Sequence, residues 1–247
     1  FRALAICHDA EIEHDPQTPD EPARLSTANP DDEALICAAD YFGFKFVERT
    51  ENSFLKIENR YSRMTNNVEE VECLHIFDWN PKRKRMSALV KDPVTGVITL
   101  YCKGADSVII PLLAETKGDE AAVVRMIGLD QEKFLEEGLR CLYIASRIIK
   151  DDFYKVWSKK YNSARVDLRQ LERKKKGEPN AIDELIEDLE QELTLLGCTG
   201  IEDRLQYGVS ESIEELMAAG VNIWMLTGDG QDTAVNSGLA AKIVLPS

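Results

Sequence analysis

Two strand-like runs, 85–91 and 97–103, flank Asp92-Pro-Val-Thr-Gly96, and no other stretch restricts the fold as tightly. A loop of about five residues that carries Pro and ends in Gly turns the chain back, so the two runs must pair antiparallel. Similar runs lie on either side. Residues 44–49 alternate Phe44, Phe46 with polar neighbours, and 53–58, 70–78 and 142–148 are further strand candidates. Residues 32–41 read as a helix with an apolar face that includes Leu35, Ile36 and Ala39; 108–116 and 129–138 also read as helices. Residues 1–8 read as a short strand or helix end. The acidic stretch 9–31, with Pro16, Pro19, Pro22 and Pro30, reads as a loop. Segment 1–150 is therefore expected to be α+β: an antiparallel sheet flanked by helices.

From 151 to 196 the sequence turns charged and helical. Gly177, Pro179 and Asn180 divide it into two helices, with Asn180 suited to cap the second, which carries Ile182, Leu185, Ile186, Leu189 and Leu193 at helical spacing. An apolar run at 195–201, a helix at 212–219 and the apolar run 221–226 follow. The last ends in Thr227-Gly-Asp229 and reads as a buried parallel strand. That is a βαβ pattern. A helix is expected next, with Asp229 or Asp232 as its N-cap, and a helix N-terminus after such a loop favours anions. The domain change is placed near residue 190.

At 247 residues, 44% of them hydrophobic, the chain can bury a core in one large domain or two smaller ones. A net charge of −14 argues against nucleic acid as a partner. No apolar run approaches the roughly 20 residues that a membrane helix needs. The N-terminus lacks the basic and apolar regions of a secretory signal, and without an initiator Met the chain is expected to be part of something larger. Cys7, Cys37, Cys73, Cys102, Cys141 and Cys198 are scattered without a C-x-x-C pair, which suggests reduced thiols in the cytosol. His8, His14 and His75 form no metal-ligand spacing with them.

Tyr101-Cys-Lys-Gly-Ala-Asp106 ends a strand candidate with an ammonium and a glycine, a combination that suits a nucleotide. Taken with Gly138-Leu-Arg140, Ile201-Glu-Asp-Arg-Leu-Gln206 and Thr227-Gly-Asp229, it makes the chain resemble P-type ATPases, in their phospholipid-flippase branch. Asn29-Pro-Asp-Asp-Glu-Ala-Leu35 echoes S-P-D-E-x-A-L. Residues 79–87, Trp79 to Ser87, echo F-x-x-x-R-K-R-M-S. Residues 194–206 echo T-L-L-G-A-T-A-I-E-D-K-L-Q, and 226–234 echo L-T-G-D-K-x-x-T-A. Echoes at consistent spacing over about 200 residues exceed what one short motif can carry.

The resemblance implies a cytosolic nucleotide-binding domain at 1–190, closed by the helical hairpin, and part of a haloacid-dehalogenase-like phosphorylation domain at 191–247. It implies roles for particular residues. Trp79 stands where the family's adenine-stacking Phe stands. Lys103 lies by the adenine, and Gly104 lets the base approach. Asp32, in place of a Glu, helps to hold the adenine amino group, and Glu33 beside it is a substitute. Arg140 is expected near the ribose or phosphates. Thr227, Gly228 and Asp229 meet the γ-phosphate and its Mg²⁺ environment, with Gly230 in place of a Lys, and Asp203 belongs to a hinge. The basic run 82–85 is expected on a strand, solvated or facing the pocket, and 173–176 at a solvated helix end.

The family's chemistry is attack by an Asp of D-K-T-G-T on ATP. Neither that stretch nor G-D-G-x-N-D occurs in these 247 residues. The chain is thus expected to bind ATP with Mg²⁺ without turning it over. Its implied partners are the remaining phosphorylation, actuator and membrane domains of the same polypeptide, a phospholipid reached through the membrane domain, and an accessory subunit. Its implied setting is the cytosolic side of a multi-pass membrane protein. Competing readings are a nucleotide-sensing or scaffolding module in a degenerate or fused protein, a stand-alone dehalogenase-type phosphatase and a non-catalytic interaction domain.

Overall fold

In a computed structural model of the chain, residues 1–13, 24–27, 29–62, 67–202, 205–227 and 231–244 are described. They divide into two compact units. The first comprises Phe1–Thr116 and Tyr143–Gly197, and the second Lys117–Leu142 and Cys198–Ser247.

The first unit is built on an antiparallel meander. Its strands are β3 (Phe44–Arg49), β4 (Phe54–Asn59), β5 (Val68–Phe77), β6 (Arg85–Lys91), β7 (Ile98–Gly104) and β8 (Arg140–Ile149), each paired with the next. A seventh strand, β9 (Thr194–Ile201), lies beside β8. β8 and β9 each run from one unit into the other. The hairpin foreseen at 85–103 supplies β6 and β7, and β6 is the fourth of seven strands. Residues 85–90 are all buried, as expected of a central strand covered on both faces. Asp92 holds the turn by accepting from the N–H groups of Val94 at 2.8 Å and Thr95 at 3.0 Å.

One face of the sheet is covered by residues 1–8 and α1 (Pro30–Tyr41). Residues 1–8 form tight turns: Cys7 N–H donates to the Ala3 carbonyl at 2.9 Å, and the Cys7 thiol reaches the Met86 carbonyl at 3.7 Å. Ala3 to Cys7 are all buried, so this segment is core despite having neither of the regular forms expected of it. Within the stretch expected as loop, Glu11–Glu13 (β1) and Arg24–Ser26 (β2) pair antiparallel. Three-residue strands of mixed polarity leave almost no periodic signal. His14 lies outside the described residues.

The opposite face is covered by α4 (Asp151–Val166) and α6 (Ala181–Leu189), with α5 (Leu168–Lys175), which buries no residue, packed against those two helices. Trp157 and Tyr161 of α4 stack at 4.7 Å and meet His75 and Phe77 of β5 edge-on. Three helices replace the expected two because Asp167 leaves the helical region and caps α5 by accepting from Arg169 N–H at 2.8 Å. Asn180 caps α6 as foreseen, accepting from Asp183 N–H at 2.9 Å. Ile182, Ile186 and Leu189 of its apolar stripe are buried.

The helix expected at 108–116 is shorter, one turn at Asp106–Ile109 (α2) followed by a 3₁₀ turn at Ile110–Leu112. Pro111 sits where its missing N–H would otherwise be needed to extend the helix.

The second unit contains α3 (Asp119–Glu136), α7 (Val209–Ala218) and α8 (Gln231–Ala240). α3 starts well before the expected 129, because Gly118, at φ 59°, sets its true beginning. Two expectations are corrected here. Residues 194–201 are an edge strand of the antiparallel sheet and do not open a βαβ unit. Residues 221–227 form no strand, and Val221, Trp224, Met225 and Leu226 are exposed. A parallel strand is stable only between hydrogen-bonding neighbours and under cover on both faces. Among the described residues none supplies either, so the apolar run alone does not make the strand. The helix expected after it is present as α8. Its proposed cap Asp229 lies outside the described residues. No helix among the described residues is long and apolar enough to cross a membrane.

Candidate functional site

The site is assembled at one end of the central sheet, in the first unit. Strand register sets Arg85 opposite Gly104 and Gly104 opposite Tyr143, so the start of β6, the end of β7 and the middle of β8 lie side by side. The end of β5, Phe77 opposite Ser87, belongs to the same edge.

α1 reaches this edge with its N-terminus. Asn29 caps it by accepting from Asp31 N–H at 3.1 Å, and Pro30 stands in the first turn, where no N–H is missed. Of the three acids that follow, Glu33 is exposed and Asp32 turns inward, 1% exposed. Its Oδ1 accepts from Lys103 Nζ at 2.6 Å and from Asn29 Nδ2 at 3.4 Å. Lys103 itself is 5% exposed, so this is a buried ion pair. Burial pushes the Asp32 carboxyl upward, and the adjacent ammonium opposes that. The two residues assigned to the same ligand from sequence are thus in direct contact with each other.

Gly104 is buried beside them. A Cβ there would stand 2.6 Å from Arg85 Cβ and 2.8 Å from the Lys84 carbonyl oxygen. The approach of β6 to β7 already requires the glycine, whatever else comes near. Gly104→Ala should therefore destabilise the unit by about 1–3 kcal/mol, since backbone and not a flexible side chain must yield. Urea unfolding checks this, and a midpoint equal to wild type would contradict it.

Trp79 stands in the loop between β5 and β6 and is 54% exposed. The loop is nonetheless well fastened. Asn80 Oδ1 accepts from the N–H groups of Lys82 at 3.1 Å and Arg83 at 2.8 Å, and Lys84 N–H donates to the Asn80 carbonyl at 2.8 Å. The basic run 82–85 divides: Lys82 and Lys84 are exposed, whereas Arg83 and Arg85 turn in. Only Arg85 belongs to a strand, so the expectation of a strand through the whole run is corrected.

Two groups at this edge escaped the sequence reading. Glu190, at the end of α6, is fully buried and receives Arg83, Arg85 and Ser87 together, with Arg85 Nε at 2.7 Å. An acid more than 100 positions from its partners carries no local signal, although two arginines opening a strand hinted at one. His8, also fully buried, has its imidazole edge-on to Phe46 at 4.5 Å.

Arg140 and Thr227 belong to the second unit. Arg140 opens β8 and is half-buried, and Thr227 is exposed. Gly228, Asp229, Gly230 and Asp203 lie outside the described residues.

The chemistry on offer in the first unit is a held ammonium, an acid against it, and an outward-facing indole on a braced loop. Comparison with known proteins gives the family. The family model described as "P-type ATPase, cytoplasmic domain N" matches residues 1–208. The chain is 37% identical over 248 residues to the phospholipid-transporting ATPase DNF1 of Saccharomyces cerevisiae, covering 98% of this chain and 15% of that protein. It is 36% identical over 244 residues to phospholipid-transporting ATPase IK of Mus musculus and, over 244 residues, to phospholipid-transporting ATPase IC of Homo sapiens. In each case 99% of this chain is covered, against 17% and 18% of the relative. The chain thus spans less than a fifth of the length of these relatives. The match to domain N takes in the whole sheet and both of its covering layers, and on that ground the chain belongs to the P-type ATPase family.

Proposed function

We propose that this chain is the ATP-binding portion of a phospholipid-translocating P-type ATPase, presenting the nucleotide to an Asp elsewhere in the polypeptide. The observation that carries the reading is the buried Lys103–Asp32 pair on the sheet edge that also bears the exposed Trp79. In this reading the indole stacks on the adenine, a contact worth about 1–3 kcal/mol by analogy with base–aromatic stacking elsewhere. Lys103 supplies a fixed cation, already oriented by Asp32, so little ordering remains to be done when the ligand arrives. Glu33, exposed on the first turn of α1, is available to the exocyclic amine. In this reading Arg140 and Thr227-Gly-Asp229 serve the phosphate end, and the phosphorylation domain begins after β9. Mg²⁺ enters with the triphosphate and offsets its charge. Lipid, accessory subunit and the cytosolic face of a membrane come to the whole protein through domains beyond this segment.

Calorimetry with ATP tests the reading. Binding in the micromolar-to-millimolar range is expected, weakened by about ten-fold or more in Lys103→Ala and little changed in Trp79→Phe, which keeps an aromatic face. Equal affinity in Lys103→Ala, or no heat in the wild type, would overturn it. A second reading, a nucleotide-sensing or scaffolding module, is favoured by three departures from the family pattern: Asp32, Trp79 and Gly230. The two readings part on whether the full polypeptide carries D-K-T-G-T.

A further inference from the structure

We infer that Glu190 is a positioning residue for the nucleotide ring, acting through Arg83 to hold the loop that presents Trp79. The inference rests on the assignment of Trp79 to the adenine. Glu190 follows the last turn of α6 on the far side of the sheet from Asp32. Its location is pinned from below: Arg147 of β8 donates through Nη1 to the Leu189 carbonyl at 3.1 Å. Its carboxylate is wholly buried and meets three donors, from Arg83, Arg85 and Ser87. Arg83 is the connecting piece. One of its terminal nitrogens is on Glu190, and the other donates to the Asp78 carbonyl at 3.1 Å. Asp78 immediately precedes Trp79, and Asn80, which follows it, caps the turn. Both flanks of the indole are therefore tied while the ring itself stays open to solvent.

A buried carboxylate between two guanidiniums is not needed for stability alone, since apolar replacement of such a group is often neutral or stabilising. What it adds is a fixed geometry, and the geometry it fixes here is that of an exposed aromatic side chain. A ring held in place before the ligand arrives does not have to be ordered on binding. The helical layer α4–α6 thus acts on the sheet edge without touching the ligand.

The test uses the chain labelled with 5-fluorotryptophan at Trp79, Trp157 and Trp224, with the Trp79 fluorine line assigned by Trp79→Phe. Glu190→Gln keeps the shape and removes the charge. It should broaden or split the Trp79 line and leave the Trp157 line of the α4 core in place. It should also weaken ATP by about ten-fold, and this loss should shrink to less than about two-fold in a Trp79→Ala background, as coupled residues require. Arg83→Gln, which keeps the Arg85–Glu190 pair, should reproduce both effects and serves if Glu190→Gln does not fold. An unchanged Trp79 line in the folded variants overturns the inference, as does a full additional loss in the Trp79→Ala background. If the wild type binds no ATP, the proposed function fails, and the fluorine line still decides whether Glu190 holds the loop.

Discussion

Asp32→Ala should cost the folded state about 3–5 kcal/mol at pH 7, a large part of the stability of an ordinary domain. The reason is not the strength of the Lys103–Asp32 attraction. It is the ammonium left behind, 5% exposed, with its carboxylate partner at 2.6 Å removed. Removing both charges together should be far milder. Asp32→Leu combined with Lys103→Met replaces the pair by apolar side chains of similar length and should recover most of the loss. Urea unfolding of the single and double variants provides the comparison. If Asp32→Ala falls by less than about 1 kcal/mol, the ammonium is reaching water and the pair is not buried in the sense drawn above. The double variant also separates fold from ligand: it should remain folded and yet bind ATP poorly, because the cation that meets the nucleotide is gone.

The residues of that pair lie 71 positions apart, and their juxtaposition shows how unevenly the structure could be read in advance. The central hairpin was legible because a short loop with Pro and Gly leaves two runs no partner but each other. Helix α1 was legible from its apolar stripe, but its start was not: Pro30, counted with the preceding loop, opens the helix and Asn29 caps it. Membership of Asp32, Lys103 and Gly104 in one locality followed from the family resemblance, not from spacing. Their contact did not, because long-range pairing depends on strand register and on which way a helix residue turns. Glu33 and Asp32 are neighbours of the same type; only packing decides that one is exposed and the other buried. Glu190 was illegible for the same reason. The apolar run 221–226 failed in the opposite sense: its composition is that of a buried strand, but burial is a property of neighbours, and the described residues do not provide them.

His8 gives the second large effect, a stability that declines with acid below pH 6.5. The ring nitrogen Nε2 donates to the Ala5 carbonyl at 3.0 Å, so in the neutral ring Nδ1 carries the lone pair. Nδ1 is buried and has no hydrogen-bond partner among the described residues. Protonating it would place a charged N–H in the core with nothing to accept it. Burial first, then the charges of Lys103 and Arg49, lower the imidazole from 6.5 to about 3. The sign follows from proton counts. Above pH 6.5 neither state holds the extra proton, and His8 contributes its full stability. Between 6.5 and about 3 the unfolded chain takes up a proton that the folded chain refuses, so stability falls as pH falls, and the loss levels off below about 3. From pH 7 to pH 4 this single group should remove about 3 kcal/mol. His8→Gln keeps a side-chain donor and cannot titrate. Its urea midpoint should therefore decline less steeply than that of wild type, while the carboxylates, common to both proteins, contribute equally to the two curves. Parallel curves from pH 7 to pH 4 would mean that the imidazole takes its proton in the folded state. The segment 1–8 would then have to loosen from the sheet face it covers, to give the charged ring access to water.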